Sequence, residues 1–262
     1  MAERQIRFYD GAAYERYMGV WSRFAGDNFL DWLAPRPGLR WIDIGCGNGA
    51  FTELIVERCA PAEVQGIDPS EGQLGFARSR AGAKAAMFRQ GDAMSLPFSE
   101  NAFDVAVMAL VIFYVPEPAK GVAEMARVVC PGGSVATYAW DMMGGGFSHE
   151  PIQAEMRAMG LKTVVQPNAD ASRMVVLQEL WSGAGFEEIE TRVITVQRSF
   201  DNFDDYWGIT LLSPTVGATL ATMTSRDVDL LKARMRMRLS ANAAGQITYT
   251  ARANVVKGRV PN

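Results

Sequence analysis

The chain has 262 residues, of which 48% are hydrophobic and 21% are charged, so it can bury a full core in one elaborated domain. The net charge is −3 and the basic residues form no tracts. No nucleic-acid partner is expected, because phosphate binding leaves a concentrated positive patch. The longest apolar run, residues 105–115, is too short to cross a bilayer, so no membrane partner is expected.

The cysteines and the first residues of the chain favour a reduced compartment. Cys46, Cys59 and Cys130 are few, odd in number and far apart, so they form neither a CxxC pair nor a metal-ligand set with a histidine. Residues 1–20 lack the apolar segment of a signal peptide. We therefore expect a cytoplasmic protein without a metal ion.

Short apolar runs alternate with amphipathic stretches from Gly38 to Trp140. Strands that alternate with helices form parallel βαβ units with right-handed crossovers, which predicts a doubly wound sheet. The predicted strands are 40–44, 63–68, 85–90, 103–110 and 134–140, and the predicted helices are 49–60, 70–80 and 117–129, the last stopped by Pro131-Gly132-Gly133.

The pattern changes after Trp140. Residues 141–171 separate the fifth strand from a predicted helix over 172–184, a connection much longer than is usual in α/β proteins. Two alternating segments, 186–198 and 246–256, predict an antiparallel edge pair, and a helix opening near Ser225 precedes the second. The predicted fold is α/β, a seven-stranded and mostly parallel Rossmann-like sheet with an antiparallel last strand and a helical lid or insert.

A glycine-rich loop, in the segment WIDIGCGNGA (41–50), follows the first predicted strand. Its three alternating glycines permit a sharp turn and leave no side chain between the backbone and a ligand. Gly45, Gly47 and Ala50 also satisfy the dinucleotide fingerprint G-x-G-x-x-A. However, the Asp43 carboxylate would repel a pyrophosphate and attract an ammonium group. We therefore favour a nucleoside that carries an amino acid, and a nicotinamide dinucleotide is the alternative.

Two further acids follow the next two predicted strands. Asp68 can accept hydrogen bonds from both hydroxyls of a ribose, and Asp92 can accept one from an adenine amine. A residue such as Asp92 is also common as a helix cap or turn residue. Together with Asp43, these acids mark the edge of the sheet where open α/β folds bind ligands.

These segments resemble the class I S-adenosylmethionine-dependent methyltransferases, in particular the small-molecule branch similar to the ubiquinone/menaquinone-biosynthesis C-methyltransferases. The resemblance implies S-adenosylmethionine as the cofactor, S-adenosylhomocysteine as its product and a small-molecule acceptor. The matching segments are WIDIGCGNGAFT (41–52), GIDPSEGQL (66–74), GDAMSLPFSENAFDVAV (91–107), the PGG turn at 131–133 and, more loosely, YERYMGVWSR (14–23).

The resemblance also implies individual cofactor contacts. The backbone of Gly45, Cys46 and Gly47, with Asp43 behind it, would hold the methionine end, and Asp68 would hold the ribose. Gln73 stands where relatives often carry Met, so the chain departs from the family pattern there. The other implied contacts are Pro69, Ser70 and Gln73 beside the adenine, Asp92, Ala93 and Met94 at its edge, Ala109, Leu110 and Phe113 beneath the methionine, and Tyr14 and Arg23 closing over the cofactor.

The reaction implied by the resemblance needs alignment more than activation, because a sulfonium is already an efficient methyl donor. A general base is needed only if the acceptor is protonated, and His149, Asp141 and Tyr114 are the candidates. An ordinary exposed loop histidine explains His149 better than a base does, so we assign no catalytic residue.

Trp140, His149, Tyr206 and Trp207 are the expected substrate-pocket residues, although Tyr206 and Trp207 are equally well explained as anchors of a lid. The Asn/Asp-Pro-Pro-aromatic signature of amino-group methylation is missing after the fourth strand, which favours an oxygen or carbon acceptor. The alternatives are an NAD(P)-dependent oxidoreductase and a non-catalytic cofactor-binding module. We expect an N-terminal helical cap over 1–37 and a methyltransferase domain over 38–262, with acceptor-side inserts at 141–171 and 199–245.

Overall fold

The computed structural model describes residues 15–262, so Tyr14 lies outside the described residues. Seven strands form one sheet in the order β3-β2-β1-β4-β5-β7-β6. Only β7 runs against the others, pairing antiparallel with β5 and with β6, which confirms the predicted fold class. The strands are β1 Arg40–Ile44, β2 Glu63–Asp68, β3 Met87–Gln90, β4 Phe103–Ala109, β5 Val129–Trp140, β6 Glu187–Phe200 and β7 Ile247–Arg259.

Nine α-helices lie within the part of the chain that the structure describes. A π-helix, Glu15–Gly19, leads into the first of them, and 3₁₀ turns cover Ile112–Tyr114 and Ala169–Ser172. The α-helices are α1 Val20–Leu33, α2 Ala50–Cys59, α3 Glu71–Ser79, α4 Pro118–Val128, α5 Glu150–Ala158, α6 Met174–Gly183, α7 Phe203–Thr210, α8 Pro214–Leu220 and α9 Ser225–Arg238.

The prediction for the Pro-Gly-Gly segment is wrong. Helix α4 ends at Val128, and β5 begins at once with Val129, so residues 131–133 lie inside the strand. The pairing of β4 with β5 shifts there, from Phe103 opposite Val129 to Val105 opposite Ser134. The segment is therefore an irregular insertion in β5, where Gly132 has a φ of +71°, and such interruptions suit glycine and proline within a strand.

The centre of the sheet is covered on both faces, as expected for parallel strands. Ile42 and Ile44 of β1 and Val107 of β4 are fully buried. Helix α1 packs on one face, where the ring of Phe29 lies 5.9 Å from that of Phe51 and 4.7 Å from that of Tyr138. Because β1 pairs parallel with both β2 and β4, the carboxyl ends of these strands lie at one edge, where the candidate site lies.

The segments before and after β6 form one helical layer beyond that edge. Glu155 of α5 accepts hydrogen bonds from Arg234 at 2.7 Å and from Arg238 at 2.9 Å, both in α9. These two guanidinium groups lower the pKa of Glu155. The predicted inserts thus contact each other through a shared carboxylate. Among residues 15–262, every helix is too short or too polar to cross a bilayer.

Candidate active site

The loop after β1 is held against the tip of β2. The backbone N–H groups of Gly45 and Cys46 both donate to the carbonyl oxygen of Ile67, at 2.7 and 2.9 Å. Gly45 and Gly47 adopt positive φ angles of 73° and 52°, a region that favours glycine. A Cβ on Gly45 would lie 2.5 Å from the Val111 side chain, whereas a Cβ on Gly47 would meet no atom within 4 Å. Gly45 is therefore required by packing, and Gly47 faces open space.

Asp43 lies directly behind this loop and is fully buried. Its Oδ2 accepts a hydrogen bond from Thr52 Oγ1 at 2.6 Å, but its Oδ1 has no partner among the described residues. Burial, followed by the nearby charge of Asp68, raises the pKa of Asp43 to about 7. A buried carboxylate oxygen without a partner is costly, so this oxygen suits a donor from a bound ligand.

Asp68 joins the glycine loop to helix α3. Its Oδ2 accepts from the N–H of Gly47 at 2.9 Å, and its Oδ1 accepts from the N–H of Ser70 at 2.8 Å. Each carboxylate oxygen has two lone pairs, so both oxygens keep the capacity to accept another hydrogen bond. Burial raises the pKa of Asp68, whereas the two N–H groups oppose that rise. Ser70 in turn caps α3 by accepting from the N–H of Gln73 at 3.4 Å.

The residues predicted at the adenine edge lie beside this tip. The N–H of Gly91 donates to the Asp68 carbonyl oxygen at 3.2 Å, which places the end of β3 next to the end of β2. Asp92 is exposed and accepts from the N–H of Met94 at 2.8 Å, so its carboxylate also stabilises the local turn. Ala93 and Met94 are half-buried. Pro69 is exposed, and its carbonyl oxygen accepts from Gln90.

The end of β4 completes this edge. Ala109 is half-buried and Phe113 is fully buried in the 3₁₀ turn that follows. Leu110 has a φ of +60°, a strained conformation for a non-glycine residue, and its N–H donates to the Tyr138 carbonyl oxygen at 2.9 Å. The strained turn brings Val111 against Gly45, so β4 and the glycine loop are in direct contact.

The structure does not bring Arg23 to this edge. Arg23 is exposed and its guanidinium pairs with Glu57 at 2.7 Å. Glu57 lies seven residues beyond the start of α2, about 10 Å along the helix from the glycine loop. The contact that does reach the loop is Glu15, whose Oε2 lies 2.5 Å from Arg80 Nη2 and 3.5 Å from Asn48 Nδ2.

Sequence reasoning missed Glu15, Asn48 and Arg80. Arg80 is largely buried and also pairs with Glu53 at 2.8 Å, so one guanidinium connects the N-terminal segment to helix α2. Its Nε donates to the Asn48 carbonyl oxygen at 2.7 Å. The sequence signal that could have indicated Glu15 is its position in YERY (14–17), directly after Tyr14, which the resemblance implies as a cofactor contact.

A cavity opens beside the end of β4. It lies between the strand ends, the N-terminal segment and the helical layer, and none of the described residues that line it is charged. A larger groove lies at the opposite edge, near the amino ends of β1 and β4, where open α/β sheets do not usually bind ligands. The cavity is lined by Tyr17, Met18, Leu110, Phe113, Tyr114, Trp140, Met142, Phe147, Gln166, Ser213, Pro214 and Thr215.

His149 is buried next to this cavity, which contradicts the expectation of an exposed loop histidine. Its Nδ1 lies 3.2 Å from Tyr17 Oη and 3.0 Å from Ser148 Oγ. Its ring packs between those of Tyr17 and Phe147, at centroid distances of 4.4 and 5.0 Å. Burial, together with the charge of Arg198, lowers the pKa of His149 to about 3, so the imidazole is neutral near pH 7.

The other predicted pocket residues divide into two groups. Trp140 lines the cavity. Tyr206 and Trp207 lie in α7 and pack on Phe200 and Phe203, with Trp207 stacked on Phe203 at 6.1 Å. Neither is among the residues that line the cavity, and both are buried within the helical layer.

Asp141, the other acid considered as a base, pairs with Arg252 at 3.2 Å. It also accepts from the N–H of Gly144 at 2.8 Å. These contacts commit its carboxylate to the turn after β5.

This sheet order, a glycine loop after β1 and acids at the following strand ends define a nucleoside-binding fold of the methyltransferase type. Residues 42–137 match the model of a methyltransferase domain family. The chain is 33% identical over 194 residues to a malonyl-[acyl-carrier protein] O-methyltransferase of Methylococcus capsulatus, covering 73% of this chain and 66% of that protein. It belongs to the class I S-adenosylmethionine-dependent methyltransferases.

Two further relatives show how far the likeness extends. A ubiquinone/menaquinone biosynthesis C-methyltransferase of Dinoroseobacter shibae is 39% identical over 111 residues, 41% of this chain, and the chain spans only 44% of that relative's length. The structure of phosphoethanolamine N-methyltransferase 2 of Haemonchus contortus, in complex with S-adenosyl-L-methionine, superposes with a TM-score of 0.60 at 20% identity. That match covers 95% of this chain and 56% of the other, and it shows a shared fold.

The residues present fit the family's cofactor. The space in front of Gly47 admits a ligand against the backbone, and the orphan Oδ1 of Asp43 lies behind the loop as an acceptor for a cationic group. Asp68 keeps free acceptor capacity at the neighbouring strand end. A pyrophosphate would instead place its negative charge near two carboxylates, which disfavours the dinucleotide alternative.

Proposed function

We propose that the protein transfers a methyl group from S-adenosylmethionine to an oxygen or carbon atom of a small-molecule acceptor, by in-line displacement. The observation that carries this proposal is the position of the uncharged cavity. Leu110 lines that cavity, and the next residue, Val111, packs against Gly45 of the glycine loop. A molecule in the cavity and one on the loop would therefore lie on adjacent sides of one turn.

In this proposal the loop edge holds the cofactor. The backbone of residues 45–47 and the Asp43 carboxylate hold the methionine end, and Asp68 accepts from the ribose. Asp92, Ala93 and Met94 border the adenine, with Pro69, Ser70 and Gln73 on its other side. Ala109, Leu110 and Phe113 lie beneath the methionine. Glu15, rather than Arg23, connects the N-terminal cap to the loop.

When bound, S-adenosylmethionine supplies a methyl group on a positively charged sulfonium. The protein's own residues then have to orient the acceptor and exclude water, and holding two reactants in line accounts for roughly 7–11 kcal/mol of a barrier. Tyr17 and Phe147 provide aromatic walls for that purpose, and the helical layer closes the cavity. His149 is too weak a base to remove a proton near pH 7, since its pKa is about 3.

We propose a domain organisation that agrees with the same arrangement. Most of the residues that line the cavity belong to the described part of the predicted cap and to the predicted inserts at 141–171 and 199–245, so we assign acceptor selection to these segments. A small-molecule acceptor agrees with the C- and O-methyltransferases among the relatives.

The proposal is tested in two steps. Titration calorimetry with S-adenosylhomocysteine and with NADH should show binding of the first only. A screen of small hydroxylated and carbon-acid compounds that detects S-adenosylhomocysteine release should then identify turnover. Tight binding of NADH would favour the oxidoreductase, and cofactor binding with no turnover across the screen would favour the non-catalytic module.

A further inference from the structure

We propose that Trp140 and Gln166 form the polar pair that binds an uncharged oxygen of the acceptor. This inference rests on the proposed function, because it assigns the acceptor to the cavity beside β4. Both residues line that cavity, and its other lining residues are mostly aromatic or aliphatic. The chemical class selected is an apolar molecule with a carbonyl or hydroxyl oxygen.

The indole N–H of Trp140 is a buried donor without an acceptor. Trp140 is 2% exposed, and its Nε1 has no hydrogen-bond partner among residues 15–262. Buried donors are normally satisfied, as Trp181 shows by donating from Nε1 to the Val135 carbonyl oxygen at 3.1 Å. Trp140 borders the cavity, so in this proposal a bound molecule supplies the missing acceptor by reaching Nε1, which is covered in the ligand-free protein.

Trp41 also has an indole N–H without an acceptor among the described residues, but it does not border the cavity. Its Nε1 is also buried and unpartnered, but Trp41 lies in β1 within the packed centre of the sheet and does not line the cavity. An orphan indole N–H is therefore not sufficient evidence of a binding site. The combination of that N–H, the cavity and a second unpaired polar group is specific to Trp140.

Gln166 provides the second group. It is 8% exposed, and its side-chain amide forms no hydrogen bond within the described chain, although its backbone carbonyl oxygen accepts from Ala169 at 3.3 Å. An amide offers two N–H donors and a carbonyl acceptor, so it can donate to a carbonyl oxygen or pair in both directions with a hydroxyl. A buried donor that has no partner in the described structure and an amide that keeps access to solvent thus border one largely apolar space.

The same lining disfavours charged acceptors. Among residues 15–262, no carboxylate lines the cavity to balance an ammonium group, and no guanidinium or lysine lines it to balance a phosphate. Burying an uncompensated charge costs far more than one neutral hydrogen bond contributes. The cavity therefore favours neutral acceptors over charged ones for two reasons. Trp140 and Gln166 can donate to a neutral oxygen, and the described lining offers no opposite charge to a charged group.

The test compares phenol with benzene, a pair that differs by one oxygen, and adds benzylammonium as a charged probe. Dissociation constants are measured by ligand-observed NMR with protein saturated by S-adenosylhomocysteine. The wild type should bind phenol at least about fivefold more tightly than benzene, the scale of one neutral hydrogen bond, and benzylammonium more weakly than either. Trp140→Phe and Gln166→Leu should each reduce the phenol preference, whereas Trp41→Phe should retain it.

The outcomes separate this inference from the proposed function. If Trp140→Phe and Gln166→Leu both prefer phenol over benzene as strongly as the wild type does, the assignment of these two residues as the oxygen-binding pair is wrong. If Trp140→Phe unfolds, Gln166→Leu decides alone, since it leaves the aromatic wall intact. Failure of S-adenosylhomocysteine to bind the wild type would instead remove the proposed function.

Discussion

The backbone N–H of Gly47 donates to Asp68 Oδ2 across 2.9 Å, so the glycine loop and the tip of β2 form one hydrogen-bonded unit. Asp68 has two tasks in this arrangement, because it positions the loop and keeps acceptor capacity for a ribose. A neutral or shorter side chain there should affect the ligand and the loop together.

The first prediction concerns Asp68→Ala. We expect it to weaken S-adenosylhomocysteine binding by about 1–3 kcal/mol, the scale of a lost hydrogen-bond partner that is charged. Calorimetry measures the change, and Asp31→Ala is the matched control, since Asp31 is an exposed acid paired with Arg58. Equal affinity of Asp68→Ala and the wild type would exclude Asp68 from the site.

The second prediction contrasts two glycines of the same loop. Gly45→Ala should lower the melting temperature, because its Cβ would lie 2.5 Å from Val111. Gly47→Val meets no protein atom within 4 Å of its Cβ, so any loss of stability should come only from the strain of a β-branched residue at a φ of 52°, and the variant should lose cofactor binding. Thermal unfolding and calorimetry on both variants separate the two effects. Normal cofactor affinity in Gly47→Val would contradict the placement of the ligand against this loop.

The fold and the loop edge are accessible from the sequence for clear physical reasons. Strand periodicity and alternating glycines are local signals, and both depend on residues adjacent in the chain. Thus β1, β2 and the loop containing Gly47 occur where they are predicted, and the reversed β7 follows from the alternation in 246–256.

The cavity was harder to predict because it is built from contacts between distant residues. Tyr17 and His149 are 132 positions apart, yet they share a hydrogen bond. Nothing in their local sequence indicates this burial, and three neighbouring glycines made the His149 segment resemble an exposed loop. Gln166 is likewise recognised as a cavity residue only from the distant residues that surround it in the fold.

The third prediction concerns pH and Asp43. The pKa of Asp43 is raised to about 7, so below that pH most of the ligand-free protein carries a neutral Asp43. A cationic amino group requires the ionised form, and S-adenosylhomocysteine should therefore bind up to about tenfold more tightly at pH 8 than at pH 6. Calorimetry in buffers of different ionisation enthalpy should show proton release at pH 6. Asp43→Asn should bind more weakly and lose this pH dependence, and a pH-independent wild type would refute the assignment.

The fourth prediction concerns His149 and stability. Its pKa falls from 6.5 to about 3 on folding, so between these values the unfolded chain binds a proton that the native protein excludes. The His149 contribution to stability is complete above pH 6.5 and is lost as the pH falls toward 3, by up to about 1.4 kcal/mol per pH unit. Asp43 is an acid with a raised pKa, so its contribution to stability changes in the opposite direction and grows as the pH falls from about 7 to 4.

Because the two slopes oppose each other, the wild-type curve alone does not isolate His149. The measurement is the difference in unfolding free energy between His149→Gln and the wild type, by urea titration at intervals from pH 7.5 to 4.5. His149→Gln should be less stable at pH 7.5, where it loses the packed imidazole, and the deficit should shrink steadily toward pH 4.5. A constant deficit would mean that His149 ionises normally in the folded protein, and a general-base role would then be open again.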